Sequence, residues 1–263
     1  MIRLLTIELN KLRTYRAFWV LTIMYFVGLA GTLLSIQGVF NALLDENAPP
    51  VMKGGLSWDF YSLPEGWHYM SWIASLFNFL LPVVIVIVVS AEFTNKTVRQ
   101  NIINGMSRSE WMTGKLLLIG FISFLSTAVV FLVTLLMGLV HSDLSIGAEL
   151  FSKSGYLLGY FIQTAGYLML ATLLSILIRN TGVVIGIMSI YSLFLEKVIS
   201  LPLPREMRDY FPLSSMNNLV SLPFDLTPNA DDPVLPIPFL VCALLYIGLF
   251  AGIGYWILKR RDL

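Results

Sequence analysis

Six long apolar runs, separated by short polar and charged stretches, dominate the sequence. The runs cover residues 17–38, 70–91, 116–140, 156–178, 182–199 and 238–258. Each is close to the roughly 20 residues that a helix needs to cross the hydrocarbon core of a bilayer. None alternates like a transmembrane β-strand, so helices are the predicted spanning structure. The pattern predicts an all-α integral membrane protein, with six transmembrane helices in a single transmembrane domain over residues 1–263.

Composition agrees with this pattern. Apolar residues make up 57% of the 263 residues and charged residues only 13%, against about a quarter charged in soluble domains. The first run has a long basic leader and no small-residue cleavage signal after it, so we expect it to be retained rather than removed as a signal peptide. Cys242 is the single cysteine, so no intrachain disulfide is expected.

The lysines and arginines are distributed unevenly between the connecting segments. If all six runs cross and the N-terminus is cytoplasmic, 12 of the 17 basic residues lie in inside segments, although the outside loops are longer. The acidic residues show the opposite bias. The positive-inside rule therefore predicts that both the N- and C-termini are cytoplasmic.

Four tryptophans fall near the predicted membrane edges, where amphipathic rings prefer to lie: Trp19, Trp72, Trp111 and Trp256. Two predicted outer loops are long. Residues 41–69 carry Pro49-Pro50, Gly54-Gly55 and an aromatic run from Trp58. Residues 200–237, the long outer loop before helix 6, are proline-rich and contain two semi-apolar pieces. These pieces fit either short helices at the outer leaflet or an ordinary proline-punctuated loop.

The polar segment between the second and third runs, Thr94 to Lys115, has the pattern of a short amphipathic cytoplasmic helix. Its apolar positions group on one side of a helical wheel, with two cations beside them. The apolar positions are Val98, Ile102, Ile103 and Met106, and the cations are Lys96 and Arg99. This composition is typical either of a helix resting on lipid headgroups or of a helix that docks in a groove of a soluble partner.

The same segment predicts an elbow before the third membrane helix. Gly105 tolerates the left-handed backbone found at helix C-termini. Ser107 and Glu110 then have the spacing of a capping box, which starts a new helix. The segment is therefore predicted to run as a helix, a stop and a second helix start.

The residues Glu92, Thr97, Arg99, Ile102, Gly105, Ser107, Arg108 and Lys115 together resemble the segment that follows the second helix in ABC-2 type permeases. These permeases are the membrane subunits of ATP-binding cassette exporters. The similarity extends to chain length, the six helices, the basic amphipathic start and the long loop before the last helix. Asn95-Lys96 departs from the more acidic, glycine-containing turn expected there.

The resemblance implies that the short helix is a coupling helix, which docks against the ATPase subunit through Lys96, Val98, Arg99, Ile102, Ile103 and Met106. It also implies a cytoplasmic ATP-binding cassette subunit, a second permease copy or paralogue, and membrane lipid as partners, with no nucleic acid. ATP and magnesium would bind the partner subunit. The location implied is the bacterial plasma (inner) membrane.

Motifs for independent chemistry are missing from the sequence. Gly114-Lys115 is followed by Leu116 and opens an apolar run, so it is not a phosphate-binding loop. His68 and His141 lack zinc-ligand spacing, and no catalytic site or cofactor site is predicted in this chain. Within the runs, Asn78, Gln163 and Ser126 are the polar candidates, and interhelical hydrogen bonding is their expected role.

Local irregularities are also predicted. Pro82 predicts a kink in the second helix, which would either serve a gate or shape the bundle. Glycine pairs at 155/159, 182/186 and 248/252 permit close helix approach, within the chain or between chains.

The first hypothesis is therefore a non-enzymatic permease subunit of an ATP-driven exporter for an apolar or amphiphilic substrate. The alternative is a non-transporting membrane scaffold or immunity-type protein that binds a cytoplasmic partner. An integral membrane enzyme is disfavoured because few ionisable residues lie within the runs.

Overall fold

A computed structural model describes residues 2–13, 15–47, 59–142, 149–223 and 234–260 of the chain, which are helical for most of their length. The α-helices are α1 (Ile2–Arg13), α2 (Arg16–Asn47), α3 (Gly66–Ser75), α4 (Leu81–Thr94), α5 (Thr97–Ile103), α6 (Arg108–His141), α7 (Gly155–Ile178), α8 (Thr181–Ile190), α9 (Glu196–Ser200), α10 (Arg205–Arg208), α11 (Pro212–Asn217) and α12 (Ile237–Arg260).

Six helical stretches in the described residues are long and apolar enough to cross a membrane, and none of these residues forms a β-strand. The stretches are Arg16–Ala42, Gly66–Thr94, Arg108–His141, Glu149–Ile178, Thr181–Ser200 and Ile237–Arg260. Each contains one of the six runs identified in the sequence. The prediction of an all-helical chain with six apolar helices of spanning length is confirmed.

Helix α7 forms the centre of the bundle. It packs against α12, α4, α6 and α3, and 17 of its 24 residues are buried, against 5 of 24 in α12. Close packing requires Gly159, because a Cβ atom added there would lie 2.7 Å from the Leu219 carbonyl oxygen. By contrast, Gly248 and Gly252 on α12 have no neighbouring atom within 4 Å of an added Cβ. The 155/159 pair therefore serves packing within the chain.

A triangle of hydroxyl groups joins three helices in the core. Tyr25 from α2, Ser126 from α6 and Tyr160 from α7 have their oxygen atoms 2.7 to 3.1 Å apart. All three side chains are buried. The predicted role of Ser126 in interhelical hydrogen bonding is confirmed, and the triangle satisfies polar groups that water cannot reach.

Two of the apolar stretches are irregular near their middle. The second contains a 3-10 turn, Leu76–Phe79, between α3 and α4. Pro82 explains this break, because it has no N–H to donate to the Asn78 carbonyl four residues earlier. The fifth stretch contains a π-helical turn, Tyr191–Leu195, between α8 and α9. The sequence predicted a kink at Pro82, where the structure has a 3-10 turn followed by a new helix start. The second irregularity was not predicted.

In the connection between α9 and α12, the described residues 201–223 pack back onto the bundle through α11, which contacts α7 and α12. The two semi-apolar pieces of this connection are residues 205–211 and 213–222. The first contains α10 and the second most of α11, of which Leu213 and Met216 are buried. Glu196 accepts hydrogen bonds from the Leu213 and Ser214 backbone amides at 2.9 and 2.6 Å. The buried Glu196 carboxylate therefore caps α11, which accounts for a charge near the end of an apolar run.

The connection between α2 and α3 is described from residue 59 onward. Tyr61 donates a hydrogen bond to the Leu34 carbonyl oxygen at 2.7 Å, and Phe60 and Tyr61 are buried. The features noted at 49–50, 54–55 and Trp58 lie outside the described residues.

Candidate functional site at the loop-helix end

The short segment between α4 and α6 contains α5, Thr97–Ile103, hereafter the loop helix. It begins after Lys96, which has a left-handed backbone with φ of 56°. The Thr97 hydroxyl donates to the Glu92 carbonyl oxygen at 3.0 Å, and α5 packs against α4. The loop helix is therefore fixed to the end of α4 rather than hanging from a free linker.

The apolar positions of the loop helix divide into covered and uncovered ones. Val98 is 2% exposed and Ile103 is 73% exposed, while Ile102 and Met106 are half-buried against the core. Lys96 and Arg99 are exposed. Val98 thus packs inside the chain. The prediction that its side chain contacts a docked partner is wrong, because that side chain does not reach the surface. The uncovered part of the predicted docking set is Ile103 with the two cations.

The predicted elbow is present. Gly105 has φ of 96°, a left-handed conformation that favours glycine. The Ser107 hydroxyl accepts from the Glu110 amide at 3.1 Å, and the Glu110 carboxylate accepts from the Ser107 amide at 2.8 Å. This reciprocal capping box starts α6. The prediction for Gly105, Ser107 and Glu110 is confirmed.

A cluster of four charged side chains lies directly beside the loop helix and was not predicted. Lys115 donates to Glu8 at 2.5 Å and to Glu92 at 2.7 Å. Lys11 lies 2.9 Å from Glu8 and 3.4 Å from Glu92. Trp111 donates its indole N–H to the second oxygen of Glu92 at 2.8 Å. We call these five residues the ion cluster.

The ion cluster is desolvated and electrically balanced. Glu8, Glu92 and Lys115 are buried, and only Lys11 is part-exposed, at 28% of its side chain. Two carboxylates and two ammonium groups cancel formally, as burial of charge requires. The residues come from α1, α4 and α6, so the cluster joins the amino-terminal helix to the two helices that flank the loop helix.

Trp111, which the sequence places near a predicted membrane edge, is 1% exposed and belongs to the ion cluster, so its ring is covered by protein. Trp19 and Trp256, near predicted membrane edges as well, are 47% and 53% exposed. The signal available in the sequence was that Trp111 and Lys115 lie within the polar segment Thr94 to Lys115 and that Glu92 immediately precedes it.

Helix α12 is tied to the same end of the molecule. Arg108, at the start of α6, donates from one guanidinium nitrogen to the Leu258 carbonyl at 2.6 Å and to the Lys259 carbonyl at 2.5 Å. These carbonyls belong to the last turn of α12, which lacks further helical donors. The arginine therefore caps α12 and couples it to the elbow.

Three cations surround a small recess of about 190 Å³ next to the loop helix. Its described lining includes Lys96, Arg99 and Arg179, together with Phe93 and Val98. The Arg179 guanidinium lies 5.0 Å from the centre of the Phe93 ring, a cation–π contact. This end of the molecule therefore presents a positively charged surface beside Ile103.

Residues 52–263 match the model of a family described as a protein of unknown function, DUF2705. The chain belongs to the DUF2705 family. A search of curated proteins gives no significant match. The loop helix, the elbow and three members of the ion cluster, Glu92, Trp111 and Lys115, lie inside the DUF2705 match, whereas Glu8 and Lys11 precede it.

Proposed function

We propose that this DUF2705 chain is the permease subunit of an ABC-2 type exporter. It moves an apolar or amphiphilic substrate across the bacterial plasma membrane, using energy from a separate cytoplasmic ATPase subunit. A second copy or a paralogue completes the membrane unit. Both termini and the loop helix face the cytoplasm, as the distribution of lysine and arginine favours.

One observation carries the proposal: the loop helix presents an uncovered apolar residue and adjacent cations, yet it is firmly anchored. Ile103 is the docking contact, flanked by Lys96 and Arg99. Val98 is the internal anchor. A helix used this way needs both a surface that a partner can hold and a rigid connection to the membrane helices.

The ion cluster supplies the rigid connection. A force on the loop helix reaches α4 through Glu92, α6 through Lys115 and α1 through Glu8. Buried, hydrogen-bonded charge pairs resist separation because each separated charge would remain desolvated. Closure of the ATPase subunits would therefore move α1, α4 and α6 together, and Arg108 would extend the movement to the end of α12.

The test is affinity purification of the tagged chain from membranes of its source cells, with any ATP-binding cassette ATPase that is recovered identified by mass spectrometry. We expect wild type to recover the ATPase, and Ile103→Asp to recover at least about tenfold less, because a charge replaces a central apolar contact. Met207→Asp is the matched control, since Met207 is 58% exposed in the α9–α12 connection.

Equal recovery by Ile103→Asp and wild type would refute docking through the loop helix. Recovery of a partner whose ATP hydrolysis is unaffected by the chain would instead support the non-transporting scaffold. The docking and transport parts of the proposal are thus measured separately.

A further inference from the structure

The small recess beside the loop helix is lined mainly by cations. Its described lining is Phe93, Lys96, Val98, Arg99 and Arg179. Three of these five side chains carry a positive charge and none carries a negative one. They come from three parts of the chain, namely the end of α4, the loop helix with the residue before it, and the turn between α7 and α8. We call this site the cationic recess.

The two exposed cations of the recess have no counter-charge within the described part of the chain. Lys96 and Arg99 form none of the ion pairs found among the described residues. Glu92, which precedes Phe93 in the chain, already accepts from Lys115 and Trp111. Like charges that line one recess repel each other, more strongly near protein than in bulk water. An anion bound there would relieve this repulsion.

The size of the recess limits what can occupy it. Its volume of about 190 Å³ is roughly six times the volume of about 30 Å³ that one water molecule has in the liquid. A phosphate group fits in this space, whereas sites that enclose a whole drug-sized ligand measure about 300–1,000 Å³. The occupant is therefore a small anionic group, either a soluble anion or the headgroup of a larger molecule.

The recess lies where apolar stretches end. Phe93 is the next-to-last residue of the stretch Gly66–Thr94, and Arg179 lies between the stretches Glu149–Ile178 and Thr181–Ser200. The Arg179 guanidinium lies 5.0 Å from the centre of the Phe93 ring, so a cation–π contact joins these helix ends. Cations at the ends of apolar helices lie at the level of the lipid headgroups.

An exposed apolar face begins one helical turn after Arg179. Val183, Ile187 and Ile190 are 48%, 41% and 54% exposed. Their spacing of four and three residues places them on one side of α8, and α8 packs against α4, the helix that carries Phe93. An anion with hydrocarbon chains would contact both the cations and this apolar face, whereas a soluble anion would contact only the cations.

We propose that the cationic recess binds the phosphate group of an anionic phospholipid, whose acyl chains lie along the exposed face of α8. Lys96 and Arg99 donate charge-assisted hydrogen bonds to the phosphate oxygens, and Arg179 adds positive charge on the opposite side. Basic pockets between membrane helices are typical sites for acidic headgroups. Ile103 is outside the described lining, so a bound lipid leaves it uncovered, and the site stands independently of ATPase docking.

The test is native mass spectrometry of the delipidated full chain in detergent, without any ATPase. The chain is titrated with phosphatidylglycerol or with phosphatidylcholine of the same acyl chains. We expect phosphatidylglycerol to bind at least about tenfold more tightly, because the choline group cancels the charge of its phosphate and the two exposed cations then gain little. Equal dissociation constants for the two lipids would overturn the proposal.

A soluble phosphate is tested in the same titration. Glycerol 3-phosphate, which carries the phosphate without acyl chains, should not displace phosphatidylglycerol when the two are present at equal concentration. Displacement would overturn the lipid assignment, because the recess would then be a site for soluble phosphate compounds.

Neutral variants locate the lipid on the chain. Lys96→Gln and Arg99→Gln should each weaken phosphatidylglycerol binding about fivefold, the loss expected when one cation near an anionic lipid is removed. Lys259→Gln is the matched control, because Lys259 is an exposed lysine at the same end of the molecule but outside the described lining. Equal weakening by Lys259→Gln would mean diffuse attraction to the whole end and would overturn the site.

Lipid binding and ATPase docking can fail separately. Ile103→Gln, which adds no charge, should reduce recovery of the ATPase and leave phosphatidylglycerol binding unchanged. If wild type recovers no ATPase but the lipid titrations give the expected result, the docking proposal fails and the lipid site stands. If Lys96→Gln and Arg99→Gln lose the ATPase but bind phosphatidylglycerol like wild type, the recess serves the protein partner and the lipid proposal is wrong.

Discussion

At the scale of single residues, Lys115 is the least expected feature of the chain. It lies at the start of a long apolar run, where a lysine ordinarily extends toward lipid headgroups. Here it is 1% exposed and lies between two carboxylates. An isolated ammonium group in this position would be very costly. The buried Lys115 ammonium group therefore depends on the Glu8 and Glu92 carboxylates for its stability, and these carboxylates depend on Lys115 in the same way.

Replacement of Lys115 by Met should therefore be strongly destabilising. The variant leaves two buried carboxylates with Lys11 as their remaining cation, and the expected loss is about 3–5 kcal/mol in the free energy of unfolding. The measurement is a denaturant titration of the purified chain in detergent, followed by circular dichroism.

Lys153→Met is the control for Lys115→Met. Lys153 lies 2.6 Å from Glu65, but both side chains are well exposed, at 35% and 50%. The expected loss is at most about 1 kcal/mol, because water and salt screen an exposed pair. Similar losses of unfolding free energy in the two variants would contradict the expectation that burial makes the ion pairs of Lys115 contribute more to stability than an exposed pair.

At the scale of elements, hydrophobic runs alone were sufficient to predict six helices of spanning length. Local rules likewise predicted the capping box at Ser107 and a kink at Pro82. These features depend on residues within a few positions of one another in the chain. They could be read from the sequence because their causes are local.

The features that escaped prediction depend on distant parts of the chain. A helical wheel places Val98 and Ile103 on the same apolar side of the loop helix. Packing against the rest of the chain covers Val98 and leaves Ile103 exposed, and the wheel does not contain that information. The ion cluster required α1 to approach α6, over a sequence separation of 107 residues between Glu8 and Lys115. The π-helical turn at Tyr191–Leu195 contains no proline or glycine from which a helix irregularity could have been predicted.

Close packing of α7 gives a prediction at this scale. Gly159→Ala places a methyl group about 2.7 Å from the Leu219 carbonyl oxygen, and the backbone must shift. The expected loss of stability is about 1–3 kcal/mol. Gly248→Ala is the matched control, because its added Cβ has no neighbour within 4 Å. Equal stability of the two variants, measured by thermal unfolding, would contradict the central position of α7.

At the scale of the whole molecule, the two ends of the bundle differ in character. The loop-helix end holds the ion cluster, the capped end of α12 and a cationic surface. Farther along the bundle, a cavity of about 370 Å³ is lined, among the described residues, by uncharged side chains. The proposed function makes the first end the contact with the ATPase and places it in the cytoplasm.

Sidedness can be measured directly in cells. In a Cys242→Ala background, Asn101→Cys should react with an impermeant thiol reagent only after the cells are permeabilised. Met207→Cys, in the α9–α12 connection, should react in intact cells. Both expectations follow from the bias of lysine and arginine in the connecting segments. Ready modification of the cysteine at position 101 from outside would reverse the orientation and refute docking to a cytoplasmic ATPase.

The ion cluster also divides along the chain into two halves with no net charge. Glu8 and Lys11 form one pair on α1, and Glu92 and Lys115 form the other, 2.7 Å apart, between α4 and α6. Each half is formally neutral, so α1 adds no net charge to the buried junction between α4 and α6. The contacts of Lys115 with Glu8 and of Lys11 with Glu92 join the two halves. The amino-terminal helix is therefore held to the membrane helices by ion pairs although the pair that it contributes is neutral.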